Sequence, residues 1–423
     1  MGRIFFGWWV LAGLFLIYAA SNGIVIFTLP LFYPELIKEF GWNEAEVTRP
    51  ATVFFVAAGV LHPFGGALLD RFSARRLMLV SFGTVAVALS FYPFVNSLGQ
   101  LMGIYIAFGL GFGMGGLVAN MLVLTRWFVR YRGIAVGILL IGASLGGAAF
   151  PLIVRQTLVG SGWREASILL AVLGGAMMIL PLVFLVRNHP RDLGLNPDGA
   201  EQQTEPPKVV KRIEAQRSDG PTLLEAIKSP TFYLLAFVTG ALWFCIVGML
   251  QHQSIYLGQD LGVDRSVLPL VFSVFFWAGI VGKASFGYLS DHFNTGRVML
   301  ISIINLALGF IVLRTLDVGE TAMMFAFAMI SGVGFSGVFT MVQLMIAESF
   351  VGRAYGKILG VFTFVDTMAG ALGIQVIGSM RVALGSYSPA FNLMIMICLV
   401  AAACVIGLNQ FSKRATSRAV ESA

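Results

Sequence analysis

The sequence predicts an all-α membrane protein of twelve transmembrane helices, arranged as two similar six-helix bundles. Three observations lead to this fold class. Hydrophobic residues make up 57% of the 423 residues and charged residues only 12%, with a mean hydropathy of +0.85. Apolar runs of about 20 residues, the length that crosses a bilayer, recur along the whole chain. One motif also occurs twice, about half a chain length apart.

Each apolar run is bounded by polar or charged residues, which set the predicted helix ends. The segment 188–229 between the sixth and seventh runs is rich in Gln, Glu, Pro and Lys, a composition that buries no core. It predicts a linker between two bundles, 1–187 and 230–423. The predicted spans are about 8–32, 47–69, 77–95, 101–124, 132–155, 166–187, 231–254, 266–289, 297–315, 321–346, 355–379 and 388–410.

The basic residues predict the orientation. With an even number of helices both termini lie on one side, and most of the 28 Lys and Arg residues fall on that side. Positive charge marks the cytoplasmic side, so both termini are expected in the cytoplasm. The net charge of +7 reflects this bias and does not indicate nucleic-acid binding. The first run is too long for a cleavable signal, and a bacterial inner membrane is the expected location.

The repeated motif ends the second and eighth predicted helices. Gly66 precedes Asp70 by four residues, and Gly287 precedes Asp291 by four, an offset of 221 between the copies. A glycine lets a neighbouring helix approach, and an aspartate at a helix end accepts hydrogen bonds in one conformation of a gate. Positive-inside anchoring is the alternative for the basic residues, but it does not explain the Gly–Asp spacing. The basic residues of the motif are Arg71, Arg75, Arg76 and Arg297.

A second set of glycines repeats at an offset of 223, as in Gly109 and Gly332. With this repeat and the signature loop, the chain resembles the major facilitator superfamily. Segments such as Phe6-Gly-Trp-Trp and Gly162-Trp-Arg are similar to its monocarboxylate and oxalate/formate branch. The resemblance implies two pseudo-symmetric bundles and transport of a small molecule by alternating access. We expect the protein to act as a monomer in the lipid bilayer.

Lys283 is the leading candidate for the substrate site. It lies eight residues before Asp291, or about 12 Å along the eighth helix. An ammonium at that depth is costly and usually functional, although a lysine that extends to the interface is the alternative. In the monocarboxylate branch an Arg, followed four residues later by Gly, binds the substrate carboxylate at this position. The resemblance therefore implies an anion site at Lys283, with a point charge in place of a bidentate guanidinium.

Two acidic or titratable residues are candidates for proton coupling. The branch often has an Asp four residues before the basic residue, where this chain has Gly279. Asp366, in the middle of the eleventh helix, is the predicted substitute, and a static ion pair with Lys283 is the alternative. His252, at the outer end of the seventh helix, titrates in the right range. It is a candidate for both proton transfer and substrate binding, with a solvated interfacial histidine as the alternative.

Three further residues are candidates for the substrate site. Asn22 and Asn120 are amides in the first and fourth predicted helices, and either binds substrate oxygens or bonds a neighbouring helix. Tyr18 is a candidate pocket wall, with simple packing as the alternative. No spacing among the three cysteines and four histidines predicts a disulfide, a metal site or a catalytic cluster.

These features predict a secondary active transporter of small organic anions, coupled to protons, with monocarboxylates as the first substrate class. No cofactor is expected, and no phosphate-binding Gly-x-x-x-x-Gly-Lys-Ser/Thr motif is present for ATP-driven transport. An exporter of apolar or amphipathic molecules is the alternative among transporters. A sensor that uses the transporter fold without flux is the alternative from another class. A membrane enzyme is not expected, and a channel would leave a polar stripe along several helices.

Overall fold

The computed structural model describes residues 5–199, 220–350, 352 and 354–421, and every regular element among them is helical. The first spanning segment is α1 (Gly7–Ser21), which continues through a π-helical stretch and a short 3-10 turn into α2 (Tyr33–Phe40). The other helices of the first half are α3 (Glu44–Arg71), α4 (Ala74–Phe91), α5 (Leu98–Gly115), α6 (Leu117–Trp127), α7 (Arg132–Gly160) and α8 (Trp163–Phe184).

The second half begins with the short helix α9 (Leu223–Lys228), which is followed by six long helices. These are α10 (Pro230–Ile255), α11 (Leu268–His292), α12 (Thr295–Thr315), α13 (Thr321–Ser349), α14 (Tyr355–Leu384) and α15 (Ser388–Glu421). Eleven helical segments of the described chain are long and apolar enough to cross a membrane. The remaining long helix, α3, has 28 residues, or about 42 Å. The predicted fold class of twelve spanning helices is therefore confirmed.

In two of the spanning segments a proline or a glycine explains a local break in the α-helix. Pro30 has no amide hydrogen, and the chain around it forms a 3-10 turn instead of an α-helix. The fourth spanning segment is split between α5 and α6 at Gly116, whose ψ is −140°. Nδ2 of Asn120 donates to the carbonyl of Gly116 at 2.9 Å, which also accepts from the backbone amide of Asn120 at 3.3 Å, so both nitrogens hold the start of α6.

Side chains cap several helices where they begin. At α3 the Asn43 side chain accepts from the Glu46 amide at 2.9 Å, and the Glu46 carboxylate accepts from the Asn43 amide at 3.0 Å. This reciprocal pair satisfies two amides that the first helical turn leaves free. Single side-chain caps begin α4, α5 and α12, and the capping residues are Ser73, Ser97 and Asn294.

The described chain forms two compact units. The first comprises Met1–Ala215 and Leu250–Ser273, and the second comprises Gln216–Met249 and Val274–Ala423, within the described residues of each range. The end of α10 and the start of α11 therefore pack with the first unit. Hydrogen bonds explain this grouping, because Ser254 Oγ donates to the carbonyl of Pro30 at 2.5 Å. Nε of Arg155 likewise donates to the carbonyl of Ser266 at 2.6 Å.

Part of the predicted linker is folded against the first unit. Oδ2 of Asp198 accepts hydrogen bonds from the consecutive amides of Val129 and Arg130, at 3.0 and 2.7 Å. A carboxylate that accepts two backbone bonds holds its segment firmly to the partner loop. The linker residues 200–219 lie outside the described part of the chain.

One helix-packing contact occurs in both units. A Cβ atom on Gly109 of α5 would lie 2.5 Å from the carbonyl oxygen of Phe54 in α3, so only glycine fits there. A Cβ atom on Gly332 of α13 would collide with the carbonyl oxygen of Phe275 in α11. Phe54 and Phe275 are 221 residues apart, and the two glycines 223, which are the two predicted offsets. The internal repeat is therefore a repeat of packing as well as of sequence.

Candidate functional site

Lys283 lies within the membrane-spanning part of α11, in the second unit. Its side chain is half-buried, and Nζ lies 5.2 Å from the ring centroid of Phe339 on α13. An ammonium over an aromatic face is stabilised by the ring quadrupole, and the stabilisation grows as water is excluded. The structure thus holds the Lys283 ammonium near an aromatic ring of the neighbouring helix α13.

Asp366 is the carboxyl group of the same unit. It lies in α14 with only 6% of its surface exposed, near the hydroxyl of Thr239 on α10. Its Oδ1 has no hydrogen-bond partner among the described residues. The Thr239 hydroxyl donates to the carbonyl of Ala236 at 3.3 Å. Because a hydroxyl has one hydrogen, donation to Asp366 would replace this bond.

A chain of contacts connects the surroundings of Asp366 and Lys283. Thr239 and Trp243 are one turn apart on α10. The Trp243 ring lies 6.0 Å from the ring of Phe339, in an edge-to-face arrangement, and Phe339 faces Lys283. Helices α10, α11, α13 and α14 therefore bring the predicted cation and the predicted carboxyl group into one continuous set of side chains within the second unit.

The predicted amides of the first unit have structural hydrogen bonds. Nδ2 of Asn22 donates to the carbonyl of Tyr18 at 3.0 Å, where α1 gives way to the π-helical stretch. Tyr18 itself is buried. Asn120 is fully buried and holds the helix break at Gly116, but its Oδ1 has no partner in the described part of the chain. Of Asn22 and Asn120, only Asn120 therefore has a side-chain oxygen that is buried without a hydrogen-bond partner among the described residues.

His252 is buried, which corrects the alternative of a solvated interfacial histidine. It belongs to four consecutive polar residues at the end of α10, 251–254, all of which are buried. The hydroxyl of Tyr33 donates to Oε1 of Gln251 at 2.8 Å, and Ser254 bonds the carbonyl of Pro30. These bonds hold the end of α10 in the first unit, where His252 is only 2% exposed. His252 therefore lies in the first unit, whereas Lys283 and Asp366 lie in the second.

The first copy of the signature motif is only partly described. Gly66 and Asp70 belong to α3, but the surroundings of both lie outside the described residues. Arg71 and Arg76 are exposed. Arg75 instead caps the end of α8, because Nε and Nη2 donate to the carbonyls of Leu182 and Val183 at 2.9 and 2.7 Å. Arg75 thus satisfies carbonyls that the end of a helix leaves free.

The second copy of the motif differs from the expectation at its glycine. A Cβ atom on Gly287 would have no other heavy atom within 4 Å, so close approach of a neighbouring helix is the wrong reason for this glycine. The helix that packs on α11 makes its close contact further along, at Gly332. Asp291 and Arg297 are exposed at the facing ends of α11 and α12.

Sequence reasoning missed His62 in α3. This histidine stands 221 residues before Lys283, so the offset of the repeated motif would have found it. Its Nδ1 is buried and has no hydrogen-bond partner among the described residues. A buried polar atom without a partner is uncommon in a folded protein and needs an explanation.

Twelve spanning helices, an internal duplication and a membrane-embedded pair of ionisable groups define a polytopic membrane transport protein. The sequence profile of the Major Facilitator Superfamily matches residues 11–256 and 232–422. The chain belongs to this superfamily, and its relatives and fold are those of transporters rather than enzymes.

Several relatives align over nearly the whole chain. The MFS-type transporter YcxA of Bacillus subtilis is 22% identical, over 90% of this chain and 87% of its own length. Monocarboxylate transporter 13 of Bos taurus is 25% identical, over 96% of this chain and 90% of its own. The membrane sensor protein UhpC of Escherichia coli is 23% identical, over 62% of this chain and 60% of its own.

Solved structures show the same fold. A mutant of the nucleoside transporter NupG superposes with a TM-score of 0.74 at 12% identity, covering 95% of this chain and 99% of its own. A bacterial homologue of the lysosomal transporter Spinster superposes with a TM-score of 0.68 at 16% identity, covering 96% and 97%. At these identities the likeness concerns the fold alone.

Proposed function

We propose that this protein is a secondary active transporter of small organic anions, coupled to protons, with monocarboxylates as the first substrate class. The observation that carries the proposal is the half-buried ammonium of Lys283 at membrane depth, held over the Phe339 ring. A charge in that position is costly unless a counter-charge compensates it. An anionic substrate supplies that charge when it binds and removes it when it leaves.

The names of several relatives support an anionic substrate. They include monocarboxylate transporters, the probable sulfoacetate transporter SauU of Cupriavidus necator at 26% identity, and the phosphoglycerate transporter protein of Salmonella typhimurium at 24% identity. The molecules in these names share an anionic group and a small carbon skeleton. A single lysine ammonium suits such a group, because it binds as a point charge without demanding one planar geometry.

Asp366 supplies the proposed coupling. As a carboxylate it competes with the substrate for the positive charge of its unit and takes the hydrogen of Thr239. When Asp366 binds a proton, the carboxyl group is neutral, and the Thr239 hydroxyl is free to return to the carbonyl of Ala236. The charge of Lys283 is then compensated by the substrate. One proton and one monoanion would therefore enter the site together and leave it together.

The proposal includes a location. We place the protein in a bacterial inner membrane as a monomer, with both termini in the cytoplasm, because the basic residues favour that side. A fusion of green fluorescent protein to the carboxyl terminus fluoresces only when that terminus is cytoplasmic, and a dark but fully expressed fusion contradicts the orientation.

The decisive experiment is uptake of radiolabelled lactate into liposomes that contain the purified protein, with and without an inward proton gradient. We expect uptake to require Lys283, so Lys283→Ala abolishes it, and Lys283→Arg retains part of it because the charge remains. Lys38→Ala is the matched control, since Lys38 is an exposed lysine at the end of α2. Uptake by Lys283→Ala equal to wild type would reject the anion site and favour an exporter with an apolar pocket. Binding without uptake would favour a sensor.

A further inference from the structure

The repeat of α3 in α11 extends well beyond the signature motif. At an offset of 221, Thr52-Val-Phe-Phe in α3 aligns with Ser273-Val-Phe-Phe in α11, and the later alanine and leucine positions 57 and 68 align with 278 and 289. The packing agrees with this alignment, since the carbonyls of Phe54 and Phe275 each receive a glycine from the next-but-one helix. Corresponding positions of α3 and α11 are therefore equivalent places in the two units.

His62 is the equivalent of Lys283. Each precedes the aspartate of its motif by eight residues and the glycine by four. Each therefore lies about 12 Å along its helix from that aspartate. The two units thus carry a basic side chain in the same turn of equivalent helices, an imidazole in one and an ammonium in the other.

The surroundings of His62 leave its ring available. Nδ1 is buried and lacks a hydrogen-bond partner among the described residues, and so does the hydroxyl of Thr52 on the same helix. At 100° per residue, His62 lies about 40° around α3 from Ala58, which contacts Gly113 of α5. A buried ring nitrogen without a partner among the described residues indicates a place for a polar ligand.

The position equivalent to Phe339 in the first unit carries no side chain. Phe339, whose ring faces Lys283, corresponds to Gly116 at the offset of 223. Gly116 has no side chain and marks the break between α5 and α6. One turn later, Oδ1 of Asn120 is buried without a partner in the described chain. The first unit therefore has a glycine where the second has an aromatic ring, next to another unused polar atom.

We propose that His62 is a substrate-binding residue of the first unit, in the place that Lys283 occupies in the second. The inference rests on the proposed transport of anions. The neutral imidazole offers one N–H donor to an anionic oxygen, and the protonated ring offers two donors and a positive charge. Histidine changes charge near neutral pH, so His62 strengthens anion binding on the acidic side.

The charged groups near α3 lie away from His62 along their helices. Helix α5 carries no charged residue, and Tyr105 is its one titratable group. The remaining groups lie towards helix ends. On α3 itself they are Glu44, Glu46, Arg49, Asp70 and Arg71. On the other elements that pack against α3 they are Tyr33, Glu35, Lys38, Glu39, Arg75, Arg76 and Arg126.

The test measures anion binding to the purified, full-length protein at pH 6 and pH 8. The probes are lactate, sulfoacetate and 3-phosphoglycerate, and the readout is a dissociation constant from tryptophan fluorescence or thermal shift. We expect wild-type affinity to fall between pH 6 and pH 8. His62→Lys loses less affinity than wild type across this range, because its own charge does not titrate there and only the proposed proton on Asp366 remains. His62→Gln binds about tenfold more weakly than wild type at pH 6, the difference between a charge-assisted and a neutral hydrogen bond.

His189→Gln is the matched control, because it makes the same replacement at an exposed histidine after α8. It should match wild type at both pH values. The inference is overturned if wild type binds a probe and loses it in Lys283→Ala, while His62→Gln and His62→Lys reproduce the wild-type affinities and pH dependence. If no probe binds wild type, the proposed anion transport itself fails. Failure of the His62 inference alone is different, because wild type then still binds a probe. Should His62→Gln not fold, His62→Lys alone decides through its pH dependence.

Discussion

The hydroxyl of Tyr33 donates a 2.8 Å hydrogen bond to Oε1 of Gln251, across 218 residues of sequence. Both side chains are buried, and Nε2 of Gln251 donates in turn to the carbonyl of Ile26 at 3.3 Å. This pair joins the end of α10 to the end of the first spanning segment. It is the contact that assigns the polar run around His252 to the first unit.

Tyr33→Phe should lower stability, because it leaves Oε1 of Gln251 buried without its donor. The expected loss is about 1–3 kcal/mol, the cost of an unsatisfied buried acceptor. The measurement is thermal unfolding of the purified protein. Tyr233→Phe removes the hydroxyl of a tyrosine that is 61% exposed and should change stability by less than about 0.5 kcal/mol. Equal effects of the two variants would contradict the role of the Tyr33 bond.

Gly332→Ala should disrupt the second unit, because its Cβ would collide with the carbonyl oxygen of Phe275. A backbone oxygen moves only with its helix, so we expect a lower unfolding temperature and reduced uptake. Gly360→Ala is the control, since a Cβ there meets no other atom within 4 Å. In a helix interior that control should stabilise by about 1 kcal/mol. A Gly332→Ala protein as stable as the control would show that α11 and α13 do not touch there.

Arg75→Gln should destabilise the end of α8, because two carbonyls lose a charged donor. A hydrogen bond to a charged group contributes about 1.5–3 kcal/mol, so a loss of about 2 kcal/mol is expected in thermal unfolding. Arg76→Gln is the matched control, because Arg76 is the exposed neighbour. If Arg76→Gln lowers stability as much, the basic loop acts through its total charge rather than through this cap.

Asp366→Asn should separate transport from the proton gradient. The amide keeps the size of the side chain but binds no proton, so the gradient no longer drives accumulation, while exchange of one anion for another persists. Liposomes loaded with unlabelled lactate test exchange, and liposomes with a proton gradient test accumulation. Thr239→Val should reduce the accumulation rate without abolishing coupling, because the hydroxyl only supports the carboxyl group. Normal accumulation by Asp366→Asn would assign the coupling proton to His252 or to the substrate.

The sequence predicted the features that depend on spacing along one helix. The depth of Lys283 follows from its distance to Asp291, and the duplicated glycines follow from two constant offsets. The role of Arg75 depends on carbonyls that lie 107 residues away, and no local pattern indicates which helix end comes near. The burial of His252 likewise depends on Tyr33, a partner from another helix.

His62 was missed for a different reason. The glycines, aspartates and arginines of the two motif copies lie at the helix ends, whereas His62 and Lys283 lie further into each helix. Histidine and lysine are different residue types, so identity alone does not reveal that they correspond. Their correspondence appears only when basic character is compared at each aligned position. The packing of Gly109 and Gly332 then gives a physical reason to accept that alignment.

The glycine-to-carbonyl contact between Gly109 and Phe54, and its copy between Gly332 and Phe275, involves main-chain atoms of one partner. Docking of these helices therefore does not depend on which polar side chains stand elsewhere on them. Each half of the repeat can therefore carry its own chemistry at membrane depth on the same architecture. The same independence offers a route to engineering, in which the residues at positions 62 and 283 are exchanged or matched to new cargo while the scaffold is left as it is.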